Sequence, residues 1–141
     1  MRRSVIALLG VLVLLVFTMN GCADFAFNPI GRWHFTEQRV YVDNQLTETV
    51  PAETHQYVDL VFQKSGTGYI DSGMREHLAF TYEYTDTEVT VTRTNAKDAA
   101  PPTVYRVSDD GHTLACVISE YDERNEKGIQ QHYRLETVFV R

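Results

Sequence analysis

Apolar residues recur at every second position through most of the chain beyond residue 30, and this period fixes what the chain can fold into. Leu78–Tyr84 is the clearest case, and Glu88–Arg93 and Thr103–Val107 repeat it. A period of two places alternate side chains on opposite faces of a β-strand, and the abundance of threonine, valine and tyrosine favours strands. No segment has a convincing apolar stripe of helical period. The chain beyond residue 30 is therefore predicted to be all-β.

Turn signals separate the alternating segments at short intervals. Residues 64–66, 85–86, 108–111 and 125–128 each lie between two such segments, and three of the four end in glycine. Aspartate favours the early positions of a turn, and glycine supplies a positive φ. About eight antiparallel strands in hairpin order predict an up-and-down β-barrel. A β-sandwich is the alternative architecture for the same strands.

Eight aromatic side chains have the parity that is predicted to face the barrel interior. They are Trp33, Phe35, Phe62, Phe80, Tyr82, Tyr105, Tyr133 and Phe139. Tyr41 has the same parity as Trp33 and Phe35 in the first strand. An eight-stranded barrel is just wide enough for its side chains to fill it or to hold one small ligand, so these aromatics can enclose a pocket or pack the interior.

The first 21 residues are predicted to be a signal peptide. Arg2 and Arg3 form a basic start, and residues 5–17 contain only Val, Ile, Ala, Leu, Gly and Phe. Thirteen apolar residues fit the core of a secretory signal, whereas a helix that spans a bilayer needs about 20. The remaining 120 residues hold eleven basic and nineteen acidic side chains, a formal charge of −8. This balance argues against a nucleic-acid partner, because binding to phosphates requires clustered lysine and arginine.

The junction Thr18-Met19-Asn20-Gly21-Cys22 resembles the lipobox of bacterial lipoproteins. The resemblance implies cleavage between Gly21 and Cys22, diacylglycerol on the Cys22 thiol, and usually an acyl chain such as palmitate on the new amine. Asn20 departs from the alanine or serine that the family prefers. Ordinary signal cleavage and an uncut signal are the alternatives. Because Ala23 replaces the aspartate of the inner-membrane retention signal, the outer membrane of a cell envelope is favoured.

The predicted barrel resembles the lipocalin-like domains of bacterial secreted lipoproteins, within the calycin group. The residues that carry the resemblance begin with Gly31-Arg32-Trp33 and include Leu60-Val61-Phe62, Gly66-Thr67-Gly68 and residues 80–84 and 107–111. The resemblance implies that Trp33 plugs the closed end and that an arginine of the last strand packs over it. Arg134 and Arg141 are both candidates. It also implies a scaffold that often binds small apolar ligands.

The remaining candidate chemistry favours structural explanations. The histidines at 34, 55, 77, 112 and 132 lack metal-ligand spacing, and none of the four serines beyond residue 22 lies in a nucleophile motif. We therefore predict no catalytic residue, no metal and no cofactor. With Cys22 lipidated, Cys116 has no partner for a disulfide, and its apolar neighbours predict a buried, inert thiol.

These observations divide the chain into residues 1–21 as signal peptide, 22–29 as lipidated tether and 30–141 as one barrel domain. Two functions stay open. The domain binds a small hydrophobic ligand, or it is a filled barrel that serves as a protein-interaction or envelope-accessory module through rim loops at 43–54 and 95–102. No protein partner can be named from the sequence, and an enzyme has no motif in its favour.

Overall fold

A computed structural model describes residues 26–53, 57–94 and 100–141. The predicted signal peptide, its cleavage site and Cys22 lie outside the described residues, and so does most of the predicted rim loop at 95–102. Within those ranges the chain forms strands and no helix. The strands are β1 (Gly31–Val42), β2 (Gln45–Pro51), β3 (Asp59–Phe62), β4 (Thr67–Asp71), β5 (Leu78–Tyr84), β6 (Glu88–Arg93), β7 (Thr103–Val107), β8 (Thr113–Arg124) and β9 (Gln130–Val140).

Eight of these strands close into an antiparallel barrel, as predicted from the sequence. Strands β3 to β9 follow one another around the sheet in chain order, and β1 pairs with both β3 and β9. The β1–β9 pairing runs from His34↔Val140 to Val42↔Tyr133 and closes the circle. The turns that the glycines predicted are present, with positive φ at Gly66, Gly111 and Gly128.

The ninth strand, β2, lies outside the circle and pairs only with β1. It begins after a tight turn in which Asp43 and Asn44 have φ of 49° and 66°. Two consecutive residues with positive φ are typical of a type I′ hairpin. The prediction of a rim loop over 43–54 was therefore wrong, because most of that segment is an exposed strand.

One end of the barrel is closed by Trp33, which is fully buried. Its indole Nε1 donates a hydrogen bond of 2.8 Å to the Pro29 carbonyl oxygen, and the Phe27 ring packs 6.1 Å from the Trp33 ring. The resemblance implied an arginine over this tryptophan and left two candidates. Arg141 holds that position, with its guanidinium carbon 4.9 Å from the ring centroid. Arg134 lies elsewhere, over the Tyr41 ring.

The barrel interior is filled by side chains from all eight strands. Thirteen buried apolar residues, each 8% exposed or less, form one cluster, and Phe35, Val58 and Ile70 pack against it. Gly68 shows how closely the interior is packed, because a Cβ at that position would lie 2.5 Å from the Phe80 ring and 2.3 Å from the Val61 carbonyl oxygen. Only glycine fits between this strand and the ring opposite.

A β-bulge in β1 changes which side chains point inward. The register of β1 against β9 shifts between Phe35 and Glu37. Beyond the bulge, Val40 and Val42 pair with Leu135 and Tyr133, which continue the inward parity of Phe139. Tyr41 consequently points outward, contrary to the parity predicted from Trp33 and Phe35.

The long strands extend past the short ones at the open end of the barrel. β1, β8 and β9 have 11 or 12 residues each, whereas β3 to β7 have four to seven. Together with β2, the distal parts of these strands make a four-stranded sheet in the order β2–β1–β9–β8, which we call the overhang. The face of the overhang that continues the barrel interior carries Val40, Leu135 and the stacked pair Tyr121 and Tyr133.

Candidate functional site

A cleft opens in the barrel wall where β1 changes partner from β3 to β2. The Phe35 amide donates to the Val58 carbonyl at 2.9 Å, and two positions later Glu37 already pairs with Pro51 of β2. β1 thus changes partner between Phe35 and Glu37. The cleft, which we call the mouth cleft, has a volume of about 430 Å³. It is lined by Phe35, Gln38, Val50, Pro51, Glu53, Tyr57, Val58 and Ser72.

The mouth cleft combines an apolar floor with polar edges. Phe35 and Val58 pack against the buried core, so they form a fixed apolar surface at its base. Val50 and Tyr57 are 43% and 47% exposed. A ligand bound in the cleft would bury this apolar surface. Gln38, Glu53 and Ser72 supply polar groups. Small-molecule sites are concave and combine apolar surface with polar groups that orient the ligand. Polar and apolar surface are about equal in the mouth cleft, so it suits a molecule that is only partly apolar.

The structure divides the eight predicted lining residues into three groups. Six are buried in the core: Trp33, Phe62, Phe80, Tyr82, Tyr105 and Phe139. Phe35 is half-buried and belongs to the mouth cleft. Tyr133 lies on the overhang, where its ring stacks 5.3 Å from that of Tyr121. Most of the set contact one another, as in the Phe62–Phe80 and Phe62–Tyr82 ring pairs at 5.3 and 4.9 Å.

A charged cluster on the outer barrel wall lies beside the mouth cleft. Asp59 has the outward parity of β3, yet its side chain is only 2% exposed. Arg32 donates to one Asp59 carboxylate oxygen at 2.6 Å, and the His34 ring Nδ1 lies 2.7 Å from the other. Arg32 also donates to Asp71 and to the Tyr57 hydroxyl, at 3.2 and 2.7 Å. Tyr57 belongs to both features, so the cluster fixes one wall of the cleft.

Burial by itself would raise the pKa of the Asp59 carboxyl, but hydrogen bonds from its partners, Arg32 first, lower that pKa below its ordinary value. Asp59 is therefore an anion at neutral pH. A histidine held by a buried carboxylate is the arrangement of a general base. Here His34 faces solvent with 57% of its side chain exposed, and it is not among the residues that line the mouth cleft. The cluster is best explained as a support for the wall.

The outer face of the overhang carries two further polar clusters. Glu136 is buried and lies 3.2 Å from Arg106 Nη2 and 3.3 Å from Arg134 Nε. Farther from the barrel, the two ring nitrogens of His132 lie 2.8 Å from Asp122 and from Glu120. The Asp122 and Glu120 carboxylates raise the pKa of His132 above its ordinary value. The His132 contacts join β8 to β9 where the strands have left the barrel, whereas Glu136 joins β9 to Arg106 of β7.

The Cys116 thiol and the histidines of the described chain are not among the groups that line the mouth cleft. Burial raises the pKa of the Cys116 thiol to about 11, which keeps the thiol protonated in the core. Among residues 26–53, 57–94 and 100–141, no group of three His, Cys, Asp or Glu side chains is arranged to hold a metal ion. A second cleft, of about 560 Å³, lies at the closed end and is lined in part by Phe27, Asn28, Asp86, Asp110 and Arg141.

Sequence reasoning did not find the mouth cleft or the buried Asp59. The cleft depends on the bulge and on the partner change of β1, which no turn residue marks. Asp59 precedes the inward-facing Leu60, so the alternation places it on the surface of the barrel. It is buried because the side chains of Arg32 and His34 lie over it.

No apolar helix of bilayer-spanning length occurs in the described part of the chain. Comparison of the chain with protein-family models, with curated proteins and with solved structures gives no match.

Proposed function

We propose that this chain is a lipid-anchored protein of the bacterial cell envelope with a lipocalin-like barrel, and that it binds a small, partly apolar molecule in the mouth cleft without catalysing a reaction. The observation that carries the proposal is the division of apolar surface in the barrel. The interior side chains are packed against one another, whereas the mouth cleft presents apolar groups that are still exposed.

The closed end supports the lipocalin-like part of the proposal. Trp33 under the Arg141 guanidinium is the contact that the resemblance implies for the closed end. Arg141 also donates to the Asn28 carbonyl at 2.6 Å, which ties the segment before β1 to the chain terminus. Fold resemblance alone does not establish function, so the ligand class is argued from the cleft.

The position of the N-terminal segment supports a binding site that faces away from the membrane. The chain reaches β1 at the closed end, where Phe27 is buried. Cys22 precedes Phe27 by five residues, which span at most about 18 Å when extended. A lipid on Cys22 would therefore hold the closed end next to the bilayer. The mouth cleft and the overhang lie at the opposite end of the barrel.

The cleft is tested by titrating the purified protein with Nile red, a neutral dye whose emission shifts in apolar surroundings. We expect saturable binding that Val50→Asp weakens about tenfold, because a charge on the cleft wall costs at least about 1.4 kcal/mol of binding energy. Val104→Asp is the matched control, since Val104 is similarly exposed, at 47% against 43% for Val50, but lies on β7. Equal loss of binding in the two variants, or no saturable binding, would refute the cleft as a site.

The anchor is tested by the variant Cys22→Ser. If Cys22 carries the lipid, this substitution moves the protein from the membrane fraction to the soluble fraction, because two or more acyl chains hold a protein on a bilayer and none remain. Cys116→Ser is the control for loss of a thiol, because Cys116 is a free cysteine in the barrel core. Retention of Cys22→Ser in the membrane fraction would refute lipidation.

A second candidate function is protein interaction through the overhang. The observation that favours it is the exposure of this sheet. All seven residues of β2 are exposed, and so are the last eight residues of β8. A filled barrel with an extended, exposed sheet is suited to present a surface to another protein.

A further inference from the structure

Strand β2 leaves one edge of the sheet without a partner. It pairs with β1 from Val42↔Gln45 to Glu37↔Pro51, and on its other side no strand of the described chain follows it. The backbone N–H and C=O groups on that side are free to pair. Such an edge is a template for an added strand, and main-chain hydrogen bonds then supply much of the affinity.

The β2 edge is only partly protected against an added strand. Protected edges carry lysine, proline, clustered or inward-pointing charges, or a β-bulge. Of these features, β2 has the inward-facing Glu48 and a shift of its register opposite Val40 and Tyr41. β2 has no lysine or arginine, and its one proline, Pro51, is the final residue of the strand. The other free edge of the overhang, on β8, carries Glu120, Asp122 and Arg124 close together. The open edge is therefore that of β2.

A second copy of this chain fits the β2 edge poorly. An antiparallel pair centred on Glu48 sets two carboxylates directly opposite each other, which is destabilising. A pair centred on Thr49 shortens the ladder to residues 47–51 and places a Pro51 without an N–H at both ends, whereas a different strand would meet only one Pro51. The occupant is better sought in another molecule.

The negative charge of the segment around β2 indicates that the partner is positively charged. Residues 43–53 include Asp43, Glu48 and Glu53 and no basic residue. Glu48 makes no ion pair or hydrogen bond within the described chain, and its register opposite Val40 places it on the inner face of the overhang. On that face Val50 is two residues away, at the mouth cleft. A cation beside Glu48 and an apolar group beside Val50 would complement the strand.

From this geometry we propose that the β2 edge binds an extended, basic segment of a partner protein as an added strand, with a lysine or arginine beside Glu48 and an apolar residue beside Val50. The inference rests on the second candidate function. Because Val50 also lines the mouth cleft, a bound peptide would cover part of that cleft.

The test uses the full chain and two synthetic peptides of seven residues, one alternating valine with lysine and one alternating valine with glutamate. We expect the lysine peptide to bind and to slow hydrogen–deuterium exchange of the amides in Gln45–Pro51. An exposed ion pair contributes up to about 1 kcal/mol, so Glu48→Gln should weaken binding about threefold and Glu48→Lys about tenfold. Glu48→Lys should also gain affinity for the glutamate peptide.

Glu83→Lys on β5 is the matched control for charge, because Glu83 is exposed on the barrel wall far from β2. Binding of the lysine peptide without protection of the β2 amides would overturn the proposal, and so would equal weakening by Glu48→Lys and Glu83→Lys. Nile red binding by each variant separates the two functions. If the dye still binds while the peptide does not, the edge proposal fails and the mouth cleft stands.

Discussion

Asp59 shows how a single charged residue can be hidden on the outside of a barrel. It is surrounded by Arg32, His34 and Asp71, and only 2% of its side chain is exposed to solvent. Sequence alternation assigned Asp59 correctly to the outer face of β3. Alternation could not show that Asp59 is buried, because the side chains that cover it come in part from β1. His34, for example, precedes Asp59 by 25 residues in the chain.

Asp59→Asn is expected to destabilise the fold by about 2 kcal/mol at pH 7, because it removes the charge from hydrogen bonds with charged partners. The pKa of Asp59 is lowered in the folded state. The Asp59 carboxylate therefore contributes its full share of the unfolding free energy above the ordinary carboxyl pKa of about 3.9. This contribution is lost as the pH falls through the pKa of Asp59 in the folded protein. Urea unfolding at pH 7 and at pH 3 measures both effects, with the exposed Asp109→Asn as control. A cost at pH 3 as large as at pH 7 would contradict this account.

Gly68 is a second residue whose importance the alternation does not reveal. Because a Cβ there would lie 2.3 Å from the Val61 carbonyl oxygen and 2.5 Å from the Phe80 ring, Gly68→Ala must displace backbone or ring. We expect a loss of about 1–3 kcal/mol in unfolding free energy, the usual cost of overpacking a core. Thr81→Ala, on the exposed face of the neighbouring strand, should change stability by less than about 0.5 kcal/mol. Equal stability of Gly68→Ala and the parent protein would show that the interior has spare volume.

At the scale of elements, turn chemistry and alternation predicted the barrel strands, and they failed where the backbone departs from a regular ladder. The bulge after Phe35 reverses the parity of β1, so Tyr41 points outward and packs under Arg134. β2 was missed because both of its faces are exposed, which removes the alternation that marks a strand. Phe27 was assigned to the tether, and only the fold shows that its ring caps Trp33.

The β8–β9 hairpin beyond the barrel should become more open as the pH rises. His132 bonds both Asp122 and Glu120, and its pKa is raised in the folded state. The stabilisation is thus complete below the ordinary histidine pKa of about 6.5 and is lost as the pH rises through the folded value. Hydrogen exchange of residues 119–133 at pH 6 and pH 9 should show faster exchange at the higher pH, after correction for the intrinsic rate. His132→Gln should remove this difference. An imidazole pKa at or below 6.5 by NMR would contradict the prediction.

At the scale of the whole molecule, the barrel separates two ends with different roles. The closed end joins the segment before β1 to the terminus through Trp33, Arg141 and Asn28. The other end bears the mouth cleft and the overhang. The sequence predicted a barrel and left its interior undecided, because parity says which side chains face inward but not whether their volumes fill the space. The cleft lies in the wall between β2 and β3, where neither parity nor turn residues give a signal.

If a ligand binds in the wall at the mouth cleft and does not enter the barrel, methyl NMR shows this most directly. Nile red is titrated into protein labelled with ¹³C at valine and leucine methyl groups. We expect shifts at Val50 and Val58, which line the cleft, and none at Leu60, Val89 and Leu114, which are fully buried in the interior. Saturable shifts at the three interior residues with none at Val50 and Val58 would contradict it.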